Sequence, residues 1–282
     1  MSQIAPKKVG LVAGGGGLPA ALARRMAVAE RPFYVVRLKG FADEGTADFP
    51  HADIGIAELG KIFRTLKDHH CEAVCFAGIV ARPDLSSIKP DFKGLTLLPG
   101  VIAAATRGDD ALMRHLLSVF EAEGFEIEGA DRLCEELTLP AGVLGRHQPA
   151  ATDEIDIRTA LQAARAIGAI DAGQAAVSAR GLILALEAQE GTDSLLARCA
   201  HLPTALRGSA ESRLGVLAKC PKPIQDLRID MPTIGVSTVR RAAQAGLAGL
   251  VGETGRLLII DKDAVIQEAD DLGLFILGVD PS

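Results

Sequence analysis

Lys8 to Leu38 reads KVGLVAGGGGLPAALARRMAVAERPFYVVRL. Its first apolar run, Lys8 to Ala13, leads into the glycine quartet Gly14 to Gly17; Pro19 to Glu30 then carries apolar residues at helical spacing, and Phe33 to Leu38 is a second apolar run. Strand, tight turn, helix, strand is the βα unit of a parallel sheet. Pro19 suits an early helical position, where its missing N–H has no bond to make.

Outward from this unit the alternation continues. Glu58 to Asp68 and Asp110 to Glu123 have helical periodicity, whereas Glu72 to Ala77 and Phe125 to Glu128 read as strands. A Rossmann-like doubly wound α/β domain over residues 1–133 accounts for them all. Periodicity fails between Cys134 and Ala150, where Pro140, Gly142, Gly145 and Pro149 mark a connection between domains over residues 134–150. Residues 151–282 form a second α/β domain of unread topology. Its helices are expected at Asp153 to Ile167, Asp193 to Cys199, Ser237 to Ala245 and Ala264 to Leu272, and its strands at Val177 to Leu186, Gly215 to Lys219, Leu257 to Asp261 and Leu274 to Val279.

A chain of 282 residues, 48% of them hydrophobic, fills two domains comfortably. No run approaches the ~20 apolar residues of a membrane span, and Met1 to Lys8 lacks the apolar core of a secretory signal. The expectation is a cytoplasmic protein. Five cysteines without paired zinc-type spacing read as reduced, buried thiols. A formal net charge of −6, nine Phe, one Tyr and no Trp argue against a nucleic-acid partner, which needs a basic stripe and stacking platforms.

Unhindered backbone at Gly14, Gly15, Gly16 and Gly17, just ahead of a helix, suits the approach of a phosphate or nucleoside, and a ligand-free tight turn explains the same letters. NAD is disfavoured, because the second strand ends Arg37-Leu38-Lys39 with no acidic residue for the ribose. Arg82 follows the Glu72 to Ala77 strand and a glycine turn, at the edge where open α/β sheets take ligands; it reads equally as a surface arginine.

The densest chemistry lies between Lys219 and Asp230, KCPKPIQDLRID. Asp226, Arg228 and Asp230 alternate with Leu227 and Ile229, an extended pattern that puts three charges on one face. Two carboxylates about a guanidinium serve phosphoryl transfer, by holding a metal or orienting water and by neutralising the phosphoryl group. An edge strand with solvent charges has the same pattern. Lys219 and Lys222 add cations that meet a diphosphate or water. Glu187, Glu190, Gly191, Thr192 and Asp193 bring acids to a glycine turn; Glu187 and Glu190 read equally as surface carboxylates and Thr192 or Asp193 as a helix cap. Asp171, Gly173 and Gln174 form a third polar turn, with Gln174 a candidate substrate contact.

Four segments together, GLVAGGGGLP at Gly10 to Pro19, AGIVARP at Ala77 to Pro83, LALEAQEGTD at Leu184 to Asp193 and KPIQDLRIDMPTIG at Lys222 to Gly235, resemble the LpxI-type UDP-2,3-diacylglucosamine pyrophosphatases of lipid A synthesis along nearly the whole chain. The resemblance implies Mg²⁺-assisted attack of water on the diphosphate of UDP-2,3-diacylglucosamine, releasing 2,3-diacylglucosamine 1-phosphate and UMP. It also implies an interdomain cleft, acyl chains lying largely in the carboxy-terminal domain, and peripheral contact with the inner membrane through those chains. Homo-oligomerisation is left open. The family's essential acid in Q-D-x-R-x-D falls on Asp226, so the catalytic set is Asp226, Asp230, Arg228 and Gln225, and Asp226, Asp230, Glu190 and Asp193 are the metal candidates. Substrate contacts are expected from Gly14 to Gly17, Arg82, Gln174, Gly191, Thr192, Lys219 and Lys222. A nucleotide-binding regulatory module without catalysis is the alternative, and it has no need of the acidic constellation.

Overall fold

The computed structural model describes residues 6–80, 89–223 and 226–281. It divides into two compact units, Met1–Cys134 with Arg228–Asp230, and Glu135–Leu227 with Met231–Ser282.

In the first unit the opening βα alternation forms β1 (Val9–Ala13), α1 (Gly17–Val28) and β2 (Phe33–Leu38), then β3 (His51–Ile54), α2 (Leu59–Asp68) and β4 (Ala73–Ala77). α3 (Phe92–Ala105), α4 (Asp109–Ala122), β5 (Glu126–Ile127) and the short α5 (Ala130–Leu133) complete it. The sheet order β3-β2-β1-β4-β5 is parallel throughout, a doubly wound arrangement. Val12, Val36, Ile54 and Val74 pack with Ile62, Phe63 and Leu66 of α2 and Phe120 of α4 in one core.

The second unit holds β6 (Gly142–Leu144), α6 (Glu154–Ala169), β7 (Ala175–Ala179), β8 (Leu182–Leu186), α7 (Gly191–Ala200), α8 (Thr204–Arg207) and β9 (Val216–Lys219). β10 (Thr233–Ile234), α9 (Val236–Gln244), β11 (Gly249–Glu253), β12 (Leu258–Ile259), α10 (Lys262–Leu272) and β13 (Phe275–Val279) follow. Its main sheet runs β6-β13-β11-β9-β7-β8, with β13, β11 and β9 parallel and β6, β7 and β8 antiparallel to their neighbours. Side chains alternate between its faces, as strand geometry requires. Val216 and Ala218 pack with Ala160, Leu161 and Ala164 of α6, while Leu217 packs with residues of α7, α9 and α10.

The stretch Val177 to Leu186, read as containing apolar strand material, is a hairpin of β7 and β8. Arg180 and Gly181 both take positive φ, the geometry of a two-residue turn whose twist matches the strands. Buried Asp156 of α6 holds the turn, accepting from the Ser178 hydroxyl at 2.9 Å and from the Arg180 and Gly181 N–H groups at 2.9 and 2.7 Å.

Candidate active site

Lys219 closes β9 and lies opposite Ala175, the first residue of β7; Leu186 ends β8 opposite Ala176. The carboxyl end of the parallel strand β9, the start of β7 and the end of β8 therefore meet at one edge, where open α/β sheets take ligands. Two of the polar groups gathered there are buried. Lys219 is one, with its ammonium donating to the Thr233 carbonyl at 2.9 Å. Glu187, expected equally well at the surface, is only 6% exposed, a correction with a clear cause. One carboxylate oxygen accepts the Gln174 N–H at 3.0 Å and the other the Thr192 hydroxyl at 2.9 Å. Two candidate substrate contacts, Gln174 and Thr192, are thus fixed by a single carboxylate. Gly173 is obligatory beside them, since a Cβ would stand 2.2 Å from the Glu187 carbonyl oxygen.

Beyond Lys219 the chain gives Cys220 N–H to the Gln174 carbonyl at 2.9 Å, and Lys222 pairs with Asp171 at 2.8 Å. The three expected polar stretches, at Asp171 to Gln174, Glu187 to Asp193 and Lys219 to Lys222, come together. Lys219 also lines a cavity of about 10 Å³ with Leu139, Leu217, Ile234 and Leu257, room for one water and none for a nucleotide.

The expected extended pattern at Asp226, Arg228 and Asp230 is not observed: Leu227 to Ile229 is a turn. Tertiary contacts override the alternation. Ile229 packs against the core of the first unit, Arg228 pairs with Glu121 at 3.1 Å, Asp226 is half-buried and Asp230 exposed. Gln225 and Arg82 lie outside the described residues.

The expected cation ligands do not form a ready-made cage. Among the described residues no group of three or more His, Cys, Asp or Glu is gathered to hold a metal. Glu190 accepts from Arg198 at 2.5 Å, and its own backbone N–H together with that guanidinium holds it below the usual carboxylate range. Asp193 pairs with Arg241 at 3.1 Å.

At the glycine quartet three amides already have acceptors. Gly14 N–H donates to Ala77 O at 2.8 Å, Gly15 N–H to Ile79 O at 2.9 Å, and Gly16 N–H to the Asp43 carboxylate at 2.6 Å. The Asp43 carboxylate stands where a phosphate would seek a donor. Sequence reading missed Asp43, as it missed Glu253, a buried carboxylate at the end of β11 that pairs with Arg165 at 2.9 Å. No local pattern marks either, since their partners lie 27 and 88 residues away.

Residues 8–137 match the LpxI N-terminal domain and residues 140–277 the LpxI C-terminal domain. The UDP-2,3-diacylglucosamine pyrophosphatase LpxI of Caulobacter vibrioides is 59% identical over 275 residues, covering 98% of this chain and 98% of that protein.

Proposed function

Because the chain belongs to the LpxI family, we propose that it hydrolyses UDP-2,3-diacylglucosamine to 2,3-diacylglucosamine 1-phosphate and UMP, a step of lipid A biosynthesis. The observation that carries this reading is 59% identity along 98% of both chains. In the reaction water adds across the diphosphate: its oxygen bonds one phosphorus, the bridging P–O bond breaks, and a proton is released.

Asp226 is the group that orients the attacking water and takes its proton. Lys219 and Lys222 set positive charge against the developing phosphoryl oxyanions, and Arg228 keeps the role expected of it from the sequence. Gln174, Gly191 and Thr192 contact the substrate, the first and last held in place through Glu187. Gln225, Arg82 and Asp230 keep their expected roles in this reading, which assigns no phosphate to Gly14 to Gly16. Mg²⁺, when bound, neutralises the diphosphate. It commonly takes one or two protein carboxylates and completes its shell with substrate oxygens and water, so a preformed cage is not required.

The reading extends to a cytoplasmic enzyme whose partner is the lipid-nucleotide itself, with no nucleic acid involved. Among the described residues no helix is long and apolar enough to cross a membrane. Incubating the purified chain with UDP-2,3-diacylglucosamine and Mg²⁺ is expected to release UMP and the lipid monophosphate in equal amounts, and excess chelator to stop it. Absence of UMP overturns the proposal; full turnover in chelator removes the metal from it.

A further inference from the structure

α3 turns apolar residues to both sides. Gly94 and Ala104 are its buried positions, Gly100 lies against His115 of α4, and half-buried Leu97 packs against the core, whereas a second set of large apolar residues faces water. Phe92 is 84% exposed, Leu95 57% and Ile102 47%. With exposed Pro99 they stand at i, i+3, i+7 and i+10, one continuous stripe. The residues of this stripe add little to the core. An exposed apolar stripe of this length marks an interaction surface.

Charge decides between occupants. α2, which packs beside α3, exposes Lys61, Arg64 and Lys67, and α3 itself exposes Lys93. Residues 58–68 and 89–107 together carry six cations against three carboxylates, and Glu123 beside them makes a fourth, in a chain of formal net charge −6. Of the acids, Asp91 is turned into the helix, accepting the Gly94 and Lys61 N–H groups at 2.7 and 2.8 Å. Asp68 is exposed, Glu58 lies 3.7 Å from Lys61, and Glu123 pairs with both Lys67 and Lys93 at 2.7 Å. A local excess of cations beside an apolar ridge suits a bilayer interface with anionic headgroups. The Lys and Arg stems can lie along the ridge while their charges reach the phosphates.

We infer that α3 is a membrane-docking helix, seating Phe92, Leu95, Pro99 and Ile102 in an anionic phospholipid surface with the cations of α2 and Lys93 on its headgroups, a reading that rests on the diacyl substrate proposed above. The active-site residues of the second unit take no part in it.

The test is flotation of the full chain, without substrate, on vesicles of phosphatidylglycerol and phosphatidylethanolamine or of phosphatidylcholine alone. The parent chain is expected on the anionic vesicles. Phe92→Ser/Leu95→Ser/Ile102→Ser should lower the bound fraction by about tenfold or more. Lys61→Ser/Arg64→Ser/Lys67→Ser should abolish the preference for anionic lipid, as high salt does in the parent. The apolar triple variant should keep the parent's thermal midpoint and, on detergent-dispersed substrate, its turnover within about twofold.

Docking is overturned if the parent binds neither vesicle, or if the triple variant binds as the parent does. A higher KM for dispersed substrate with vesicle binding intact would make the stripe an acyl-chain seat. A parent dimer that the triple variant breaks into monomers would make it an interface between copies. A chain that floats with vesicles but releases no UMP leaves docking standing and sinks the proposed reaction.

Discussion

The two units each present a carboxyl edge of parallel strands, and the edges are furnished in opposite ways. At the first, Gly14, Gly15 and Gly16 give their amides to Ala77, Ile79 and Asp43, and Ile79 beside them is 74% exposed. At the second, Lys219 and Glu187 are buried, and the acceptors of Glu187 go to Gln174 and Thr192. Burying charge is costly, and the first unit does so too, with Arg37 near the end of β2 paired to Asp53 at 3.1 Å; what sets the second edge apart is a buried carboxylate and a buried ammonium that both hold polar groups of neighbouring segments. The glycines answer a different demand. A Cβ at Gly14 would stand 2.7 Å from Ile79 O, one at Gly15 2.9 Å from Phe41 O, and one at Gly78 2.6 Å from Gly15 O. A glycine run reports close passage of backbone past backbone, and a phosphate is only one reason for it.

If the second edge and the loop that leaves it carry the chemistry, Asp226→Ala should have the largest effect. A fall in kcat of about 10³-fold or more is expected, because water loses the group that orients and deprotonates it. The thermal midpoint should move little, since the side chain is only half-buried. Turnover within a few-fold of the parent would move the reaction elsewhere.

Next in size is Glu187→Ala, which orphans the Gln174 N–H and the Thr192 hydroxyl together. Loss of about 1–3 kcal/mol in stability is expected, with kcat/KM down by roughly tenfold as the two contacts lose their position. Glu187→Gln, which keeps one acceptor, should recover part of both. Equal stability loss with unchanged kcat/KM would reduce Glu187 to a structural carboxylate and break the contrast between the edges.

Much of this architecture is legible in the sequence where local pattern and tertiary demand agree. Phe33–Leu38 is a buried strand by composition and by structure, and α10 and β13 lie within two residues of their expected bounds. The failures are places where distant contacts decide. α3 has Pro99 inside it and large apolar residues on both its inner and its outer side, so periodicity gives no clean inward face. β3 is four residues long, and β11 contains two glycines. At Asp226 to Asp230 a period-two pattern becomes a turn because Ile229 and Arg228 find partners in the first unit. Of the candidate site, the three polar stretches were readable because each is local; that Glu187 is buried and holds Gln174 and Thr192 together needed the sheet register.

A smaller effect tests the first edge. Asp43→Ala removes the acceptor of the Gly16 N–H and is expected to cost about 1 kcal/mol, in the range of a lost helix-terminal cap. Activity should stay within about twofold if the carboxylate serves the turn and the chemistry lies on the other edge, as proposed. A fall in KM or tighter inhibition by UMP would mean that Asp43 competes with a ligand phosphate, and the glycine loop would regain the role its sequence suggests.

The smallest effect concerns the thiols, one in each unit. Burial pushes the Cys71 thiol up to about 11 against the pull of Lys8, and burial followed by the negative charge of Glu253 pushes Cys220, next to Lys219, up to about 12. Both lie above the ordinary value near 9. A raised thiol pKa means that the folded chain keeps a proton the unfolded chain gives up. The stability this contributes is whole below about pH 9 and is lost as pH rises through 11 to 12. At pH 8 the five free, buried cysteines should therefore resist an alkylating reagent in the folded chain and all react once it is unfolded. Above pH 9 the unfolding midpoint should fall, and Cys220→Ala should make that fall shallower than Cys71→Ala does, because its shift is the larger of the two. Fast alkylation of Cys220 alone at pH 8, with the fold intact, would show that the second edge opens to solvent, and its buried charges would then cost too little to single out that edge as the site.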